Sequence, residues 1–292
     1  MKLFIAAFLV LFNFNCLLGQ NPLAYQIYNQ RGKEVSFDKM VKKLSRQDVV
    51  LFGEYHNNAI VHWLELRTAK ALYKKKSGKL VLGAEMFERD IEKYVDAYLQ
   101  DSLDLKEFEE KSRPWANFKT DYLPLLDFAK EKALKFVATN VPRRYAAIIA
   151  RHENGVDSLQ QLQREEQKWM AKLPFKFEPE TTPGYQEMEE MMKDHAGSMA
   201  INYVKAQALK DATMAESVLV NSGKREIFLH FNGDFHSQNH GGIYWYLKQS
   251  EKRLKVATIS IAESDKDDLP LEDNDTVSEF IIVIPSDMTK TY

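Results

Sequence analysis

Only one cysteine, Cys16, occurs among the 292 residues. The chain therefore cannot close a disulfide within itself, and its stability must come from packing. An excess of charge of either sign is also missing: 40 basic residues stand against 42 acidic ones, a formal net charge of −2. That balance offers no electrostatic footprint for a nucleic-acid backbone or for an anionic membrane surface. Zinc H-E-x-x-H, the nucleophile elbow G-x-S-x-G, the P-loop and a G-x-G-x-x-G after a strand are all absent. Serine-hydrolase and nucleotide-binding chemistries lose support accordingly. No internal repeat or low-complexity tract organises the chain, apart from one paired four-residue signature treated below.

What is present begins with an apolar N-terminus. Lys2 precedes "LFIAAFLVLF", a run too short to span a bilayer comfortably, and small or polar residues follow. Residues 1–19 read as a secretory signal peptide, with cleavage after Gly19 leaving Gln20 as the new terminus. Lipidation at Cys16 is the rival reading, although Asn13 and Asn15 stand where a lipoprotein signal wants an aliphatic and a small residue. Either route exports the chain to the periplasm or cell envelope.

The remainder, 20–292, reads as a single domain, since 45% apolar content suffices for a substantial core. "AYQIYNQRGKEVS" suggests a short hairpin around Arg31-Gly32. "SFDKMVKKLSRQ" spaces Phe37, Met40, Val41 and Leu44 as a helix with Ser36 at its N-cap. Apolar runs at 48–52, 79–85, 135–142, 225–234, 254–263 and 279–285 read as buried strands separated by helices. This alternation predicts an α/β fold, with a mostly parallel central sheet and helices on both faces. Residues 143–224 contain no convincing strand and read as a helical insertion with a Pro-rich break at "KLPFKFEPETTPGY". Residues 111–132 form a smaller one. The chain after Pro285 is expected to fray.

Two strand ends carry the same pattern, Gly53-Glu54-Tyr55-His56 and Gly233-Asp234-Phe235-His236. Ligands of open parallel sheets sit outside the carboxyl ends of strands, so the two signatures are expected to meet in one site. Glycine lets the backbone turn, the acid and histidine project, and the aromatic packs back on the sheet. Glu85 ends the strand at 79–85 in a similar place, where an unpaired carboxylate would be costly. Arg143 and Arg144 open the next helix, placed to pair with Glu54 or Glu85 or to grip a ligand carboxylate. Gln207, Asp211 and Met214 share one helix face. His62 reads as a partly exposed surface or cap residue, and His230 as a satisfied core histidine. Tyr185, Met188, Met192 and His195 recur at helical spacing, which suits either a methionine-rich core face or a porphyrin wall with possible axial donors.

The blocks "DVVLFGEYHNNAIVHWLEL", "LVLGAEMFER", "ATNVPRRYA", "AQALKDATMAES" and "FNGDFHSQNHGGI", in this order, resemble the ChaN-like haem-binding proteins, often described as iron-regulated lipoproteins. The likeness runs from about Tyr25 to Pro285. That family is grouped with the Tiki metalloproteases, TraB-like proteins and erythromycin esterases. The resemblance implies an α/β/α fold with a helical insertion, haem binding linked to a haem or iron uptake system, and haem at a homodimer interface. Tyrosine and histidine contacts would fall on Tyr185 and His195, with Met188 and Met192 beside them. Carried over from the wider superfamily, Glu54, His56, Glu85 and His236 form a polar cluster, with Arg143 nearby. There they would hold a divalent metal for hydrolysis or act as metal-free acid–base groups. A metal-dependent hydrolase is thus the alternative to a haem-binding protein.

Overall fold

Short runs rich in β-branched and aromatic residues become seven strands in the computed structural model, which describes residues 22–152, 154–272 and 276–292. The signal peptide expected over 1–19, and the lipid site at Cys16, lie outside the described residues. The strands are β1 (Gln26–Asn29), β2 (Val49–Glu54), β3 (Leu80–Glu88), β4 (Phe136–Asn140), β5 (Ile227–Gly233), β6 (Val256–Ser264) and β7 (Phe280–Pro285). They form one sheet in the order β1-β7-β6-β2-β5-β3-β4, parallel throughout except for β1 against β7. The α/β expectation holds. The expected hairpin around Arg31-Gly32 is present in a minimal form: Asn29 N–H donates to the Lys33 carbonyl at 3.0 Å and Val35 N–H to the Ile27 carbonyl at 2.9 Å about a Tyr28–Glu34 bridge, while the other edge of β1 joins β7.

Every residue of β2 and β5 is buried, as befits strands covered on both sides. The period-two alternation of a strand divides their side chains between two cores. Val50, Phe52, Leu229 and Phe231 face one core, shared with Val61, Leu64 and Leu72 of the helix Ala59–Lys75. Val49, Leu51 and Phe228 face the other, with Met214 and Val218 of the helix Ala200–Asn221 and Ile243 and Leu247 of the helix Gly242–Ser250. The described residues of 143–224 are helical or irregular, and the Pro-rich break separates Arg164–Gln167 from Tyr185–Ala196. Among the described residues no helix is long and apolar enough to cross a membrane.

The chain runs β2, β3, β4 outward, then returns to insert β5 between β2 and β3. The return sets Glu54 level with Gly233 in parallel register, which brings the two signatures side by side. The glycines allow the fit. A Cβ on Gly53 would stand 2.1 Å from Asp234 Oδ1 and 2.9 Å from the Ile259 carbonyl oxygen. A Cβ on Gly233 would stand 2.8 Å from the His56 ring. Each signature thus leaves room for a functional side chain of the other. The C-terminus does not fray: Thr291 N–H donates to the Asn57 carbonyl at 2.9 Å, and its hydroxyl donates to Asp121 Oδ2 at 3.1 Å.

Gly53→Ala is expected to destabilise the protein by about 1–3 kcal/mol, because the added methyl must displace backbone or a buried carboxylate. Urea unfolding measures this, and an unchanged midpoint would refute the close packing.

Candidate functional site

Leaving β2, the backbone turns at Glu54 and the next helix is capped by Asn58, whose Oδ1 accepts from Ile60 and Val61 N–H. The turn holds Tyr55 against the sheet, its hydroxyl donating to the Ile261 carbonyl at 3.2 Å. It also projects His56, whose Nδ1 meets Glu54 Oε1 at 2.6 Å. The same oxygen accepts from the Tyr122 hydroxyl at 2.7 Å. Trp115 stands edge-on to the His56 ring, centroids 4.9 Å apart. Burial by itself would raise the Glu54 carboxyl, but the hydrogen bond with His56 and the charge of His62 hold it below its ordinary value. His56 moves upward: burial opposes its charge, and Glu54 more than compensates.

The second pattern divides its labour differently. Asp234 is buried beneath Gly53, and burial pushes its carboxyl up to about 7. The carboxylates that serve His236 come from elsewhere: Glu85 Oε1 lies 3.1 Å from Nε2, and Asp211 of the long insertion helix bonds Nδ1. Glu85 Oε2 accepts from Gly233 N–H at 2.8 Å, and Asp211 Oδ2 accepts from the Tyr185 hydroxyl at 2.7 Å. Burial disfavours the His236 cation, yet the charges of Glu85 and Asp211 carry its pKa up to about 10. Burial would likewise raise Glu85, but the His236 charge holds it well below the usual carboxylate range. His230, buried with only neutral partners in Thr139 and Asn232, is instead lowered to about 4 by desolvation.

Both histidines face one open cleft of about 1170 Å³, larger than most small-molecule pockets (roughly 300–1,000 Å³). Its floor is Glu54, His56, Glu85 and His236. Its wall is methionine-rich, with Met188, Met191, Met192 and His195 from the helix Tyr185–Ala196 and Tyr203 from the next helix. Met191, Tyr203 and Tyr292 are exposed large hydrophobic residues that line this one cleft. Apolar surface left open in this way marks a binding site.

Four expectations change. Tyr185 is fully buried and outside the cleft lining, and burial beside Asp211 drives its pKa far up, so its hydroxyl orients Asp211 and is not presented to a ligand. Arg143 reaches the cleft mouth but pairs with Glu88 at 3.6 Å, away from Glu54 and Glu85. His62 is buried rather than surface-exposed, its Nδ1 3.0 Å from Glu65. Glu54, His56, Glu85 and His236 line the cleft as two pairs, Glu54–His56 and Glu85–His236, and not as one set of mutually close donors. Among the described residues, Glu54, His62 and Glu65 are the group whose donor atoms lie within 4.8 Å of one another. Sequence reasoning missed Tyr122 and Tyr203. No spacing links Tyr122 to β2, but Tyr203, at i+8 from His195 across a helix break, was open to notice.

A family model described as haem-binding uptake, Tiki superfamily, ChaN matches residues 40–247. Among solved structures, ChaN of Campylobacter jejuni, described with cofacial heme binding, superposes with a TM-score of 0.66 at 17% identity. The match covers 88% of this chain and 96% of that one. This likeness shows the fold. The erythromycin esterase EreC in its open conformation gives a TM-score of 0.47 at 11% identity, covering 82% and 77%. The type III effector HopBA1 gives 0.44 at 13%, covering 84% and 91%. No curated protein matches the sequence.

His236 is expected to be protonated at neutral pH and His230 neutral. Imidazole NMR signals should titrate near about 10 and about 4, respectively. Because the folded value of His236 lies above its unfolded value of about 6.5, the stability it contributes is complete below that pH and lost as pH rises toward the folded value. His236→Asn should therefore destabilise most near pH ~6 and least near pH ~10 in urea unfolding. A penalty that grows with pH would contradict the network.

Proposed function

Since the chain belongs to the ChaN-like haem-binding family of the Tiki superfamily, we propose that its cleft binds haem and that the protein, once exported, serves haem or iron uptake. The observation that carries this reading is the open, methionine-rich wall above a polar floor. A porphyrin needs a broad apolar face with a nitrogen or oxygen donor at its iron. Met188, Met191 and Met192 supply the face, and His195 and Tyr203, both exposed in the same lining, supply the donors. Lys210 and Arg143 at the cleft suit the ligand's carboxylates. When bound, haem would supply an iron that His195 or Tyr203 would hold, and the protein's part would be to bind and orient it. The apolar N-terminal run supports export, and the open side of the wall leaves room for a second copy to complete a homodimer.

A second reading, hydrolysis, is favoured by one observation. Two imidazole–carboxylate systems, Glu54–His56 and Asp211–His236–Glu85, face the same cleft. Such pairs move protons: His236, charged at neutral pH, suits a donor, and the more open His56 suits contact with substrate.

Haemin added to the purified protein is expected to give a saturable Soret shift. Tyr203→Phe or His195→Ala should weaken binding by about tenfold, equal to about 1.4 kcal/mol, while Tyr185→Phe should leave the bound spectrum in place. A featureless, non-saturating titration would sink the haem reading. For the second reading, a panel of esters and peptides should show turnover that His56→Ala and His236→Ala each abolish. Turnover no faster than buffer, or unaffected by both variants, removes it.

A further inference from the structure

Behind the cleft floor lies a second polar cluster that haem binding does not use. Glu54 divides its carboxylate: Oε1 holds His56 and Tyr122, whereas Oε2 faces inward. There His62 Nδ1 lies 3.8 Å from Glu54 Oε2 and 3.0 Å from Glu65 Oε2. His62 Nε2 is 3.0 Å from the His56 carbonyl oxygen, an atom that can only accept. Nε2 therefore keeps its proton, and Nδ1, turned toward the two carboxylates, is the nitrogen whose proton a cation would replace. An imidazole N–H given to a backbone carbonyl is the usual outer-shell arrangement that orients a metal-bound histidine.

Independently of that geometry, Glu54 Oε2 and Glu65 Oε1 are buried with no hydrogen-bond partner outside this pair of carboxyl groups, and Asn117 Oδ1 nearby has none either. Asp121 Oδ2, 3.5 Å from His62 Nε2, adds another carboxylate. Three carboxyl groups around one imidazole outnumber the single positive charge that His62 can carry.

We infer that Glu54, His62 and Glu65 form a buried binding site for a first-row divalent cation, separate from the cleft. One imidazole nitrogen with carboxylate oxygens is a mixed donor set suited to Mn²⁺, Fe²⁺ or Zn²⁺. The cation would satisfy the orphaned oxygens and neutralise the cluster. Its place behind Glu54 makes it a support for the cleft floor, not a participant at the cleft surface.

The test uses the whole protein, stripped with chelator and dialysed against Zn²⁺ or Mn²⁺ alone, with bound metal measured by mass spectrometry. One equivalent is expected. Glu65→Gln, which keeps the side-chain shape, should weaken binding by more than about tenfold, since loss of outer-shell partners alone costs that much. His236→Asn should retain the equivalent. Co²⁺ added to unmodified protein should give visible ligand-field bands, a readout that needs no variant to fold. Failure of the unmodified protein to bind any of these ions overturns the inference. So does full retention by Glu65→Gln, or a loss in His236→Asn as large as in Glu65→Gln.

Discussion

Parallel pairing of β2 with β5 is the constraint on which the site rests. It sets Glu54 level with Gly233, and the missing side chains at Gly53 and Gly233 let Asp234 and His56 occupy space that any Cβ would take. The contact is reciprocal, since each strand end vacates volume for the other's acid or ring. With the turns fixed, Glu85 at the end of β3 is brought against His236, and the insertion helix closes the arrangement with Asp211. The functional groups therefore come from segments far apart in sequence, brought together by a strand register. Sheet hydrogen bonds do this more rigidly than loops.

Charge is distributed with equal economy. Glu54, Glu85, Asp211 and His236 are all buried, which would be prohibitive for isolated ions. Each meets an opposite charge or a hydrogen-bond donor; for Glu54, Glu85 and His236 the partners outweigh burial, whereas burial raises Asp211 in spite of them. His230 and His236 show the contrast: both are buried, but one faces neutral groups and is lowered, while the other faces carboxylates and is raised. The methionine-rich wall, by contrast, carries little fixed charge and presents polarizable sulfur on flexible stems, suited to a broad apolar ligand.

Much of this was legible beforehand. Six buried strands follow directly from apolar runs, and the helical character of 143–224 follows from their absence there. The paired signature indicated that His56 and His236 would share a site, and both line the cleft. What escaped were features set by tertiary packing. His62 looked like a cap because the helix start was read locally, whereas Tyr122 and Asp121 of the smaller insertion bury it. Tyr185 had the right spacing for the cleft face, yet its ring turns inward to Asp211, and Tyr203 beyond the helix break takes the exposed position. Asp234 holds the same place in its pattern as Glu54 but has a different role, because the one-residue offset in register places it under Gly53. Short spacing rules see neither register nor the partner contributed by another segment.

The position of β5 also bears on how the chain reaches this state. Until residues 227–233 arrive, β2 and β3 have a strand-wide slot between them, each presenting an unpaired edge. Contacts at such separation form late, because a long loop must close before they return any energy. An intermediate with β2 and β3 formed but β5 undocked would expose two apolar edges, the kind of surface that recruits other chains. The strand that completes the site is thus also the one that guards the half-folded chain against aggregation.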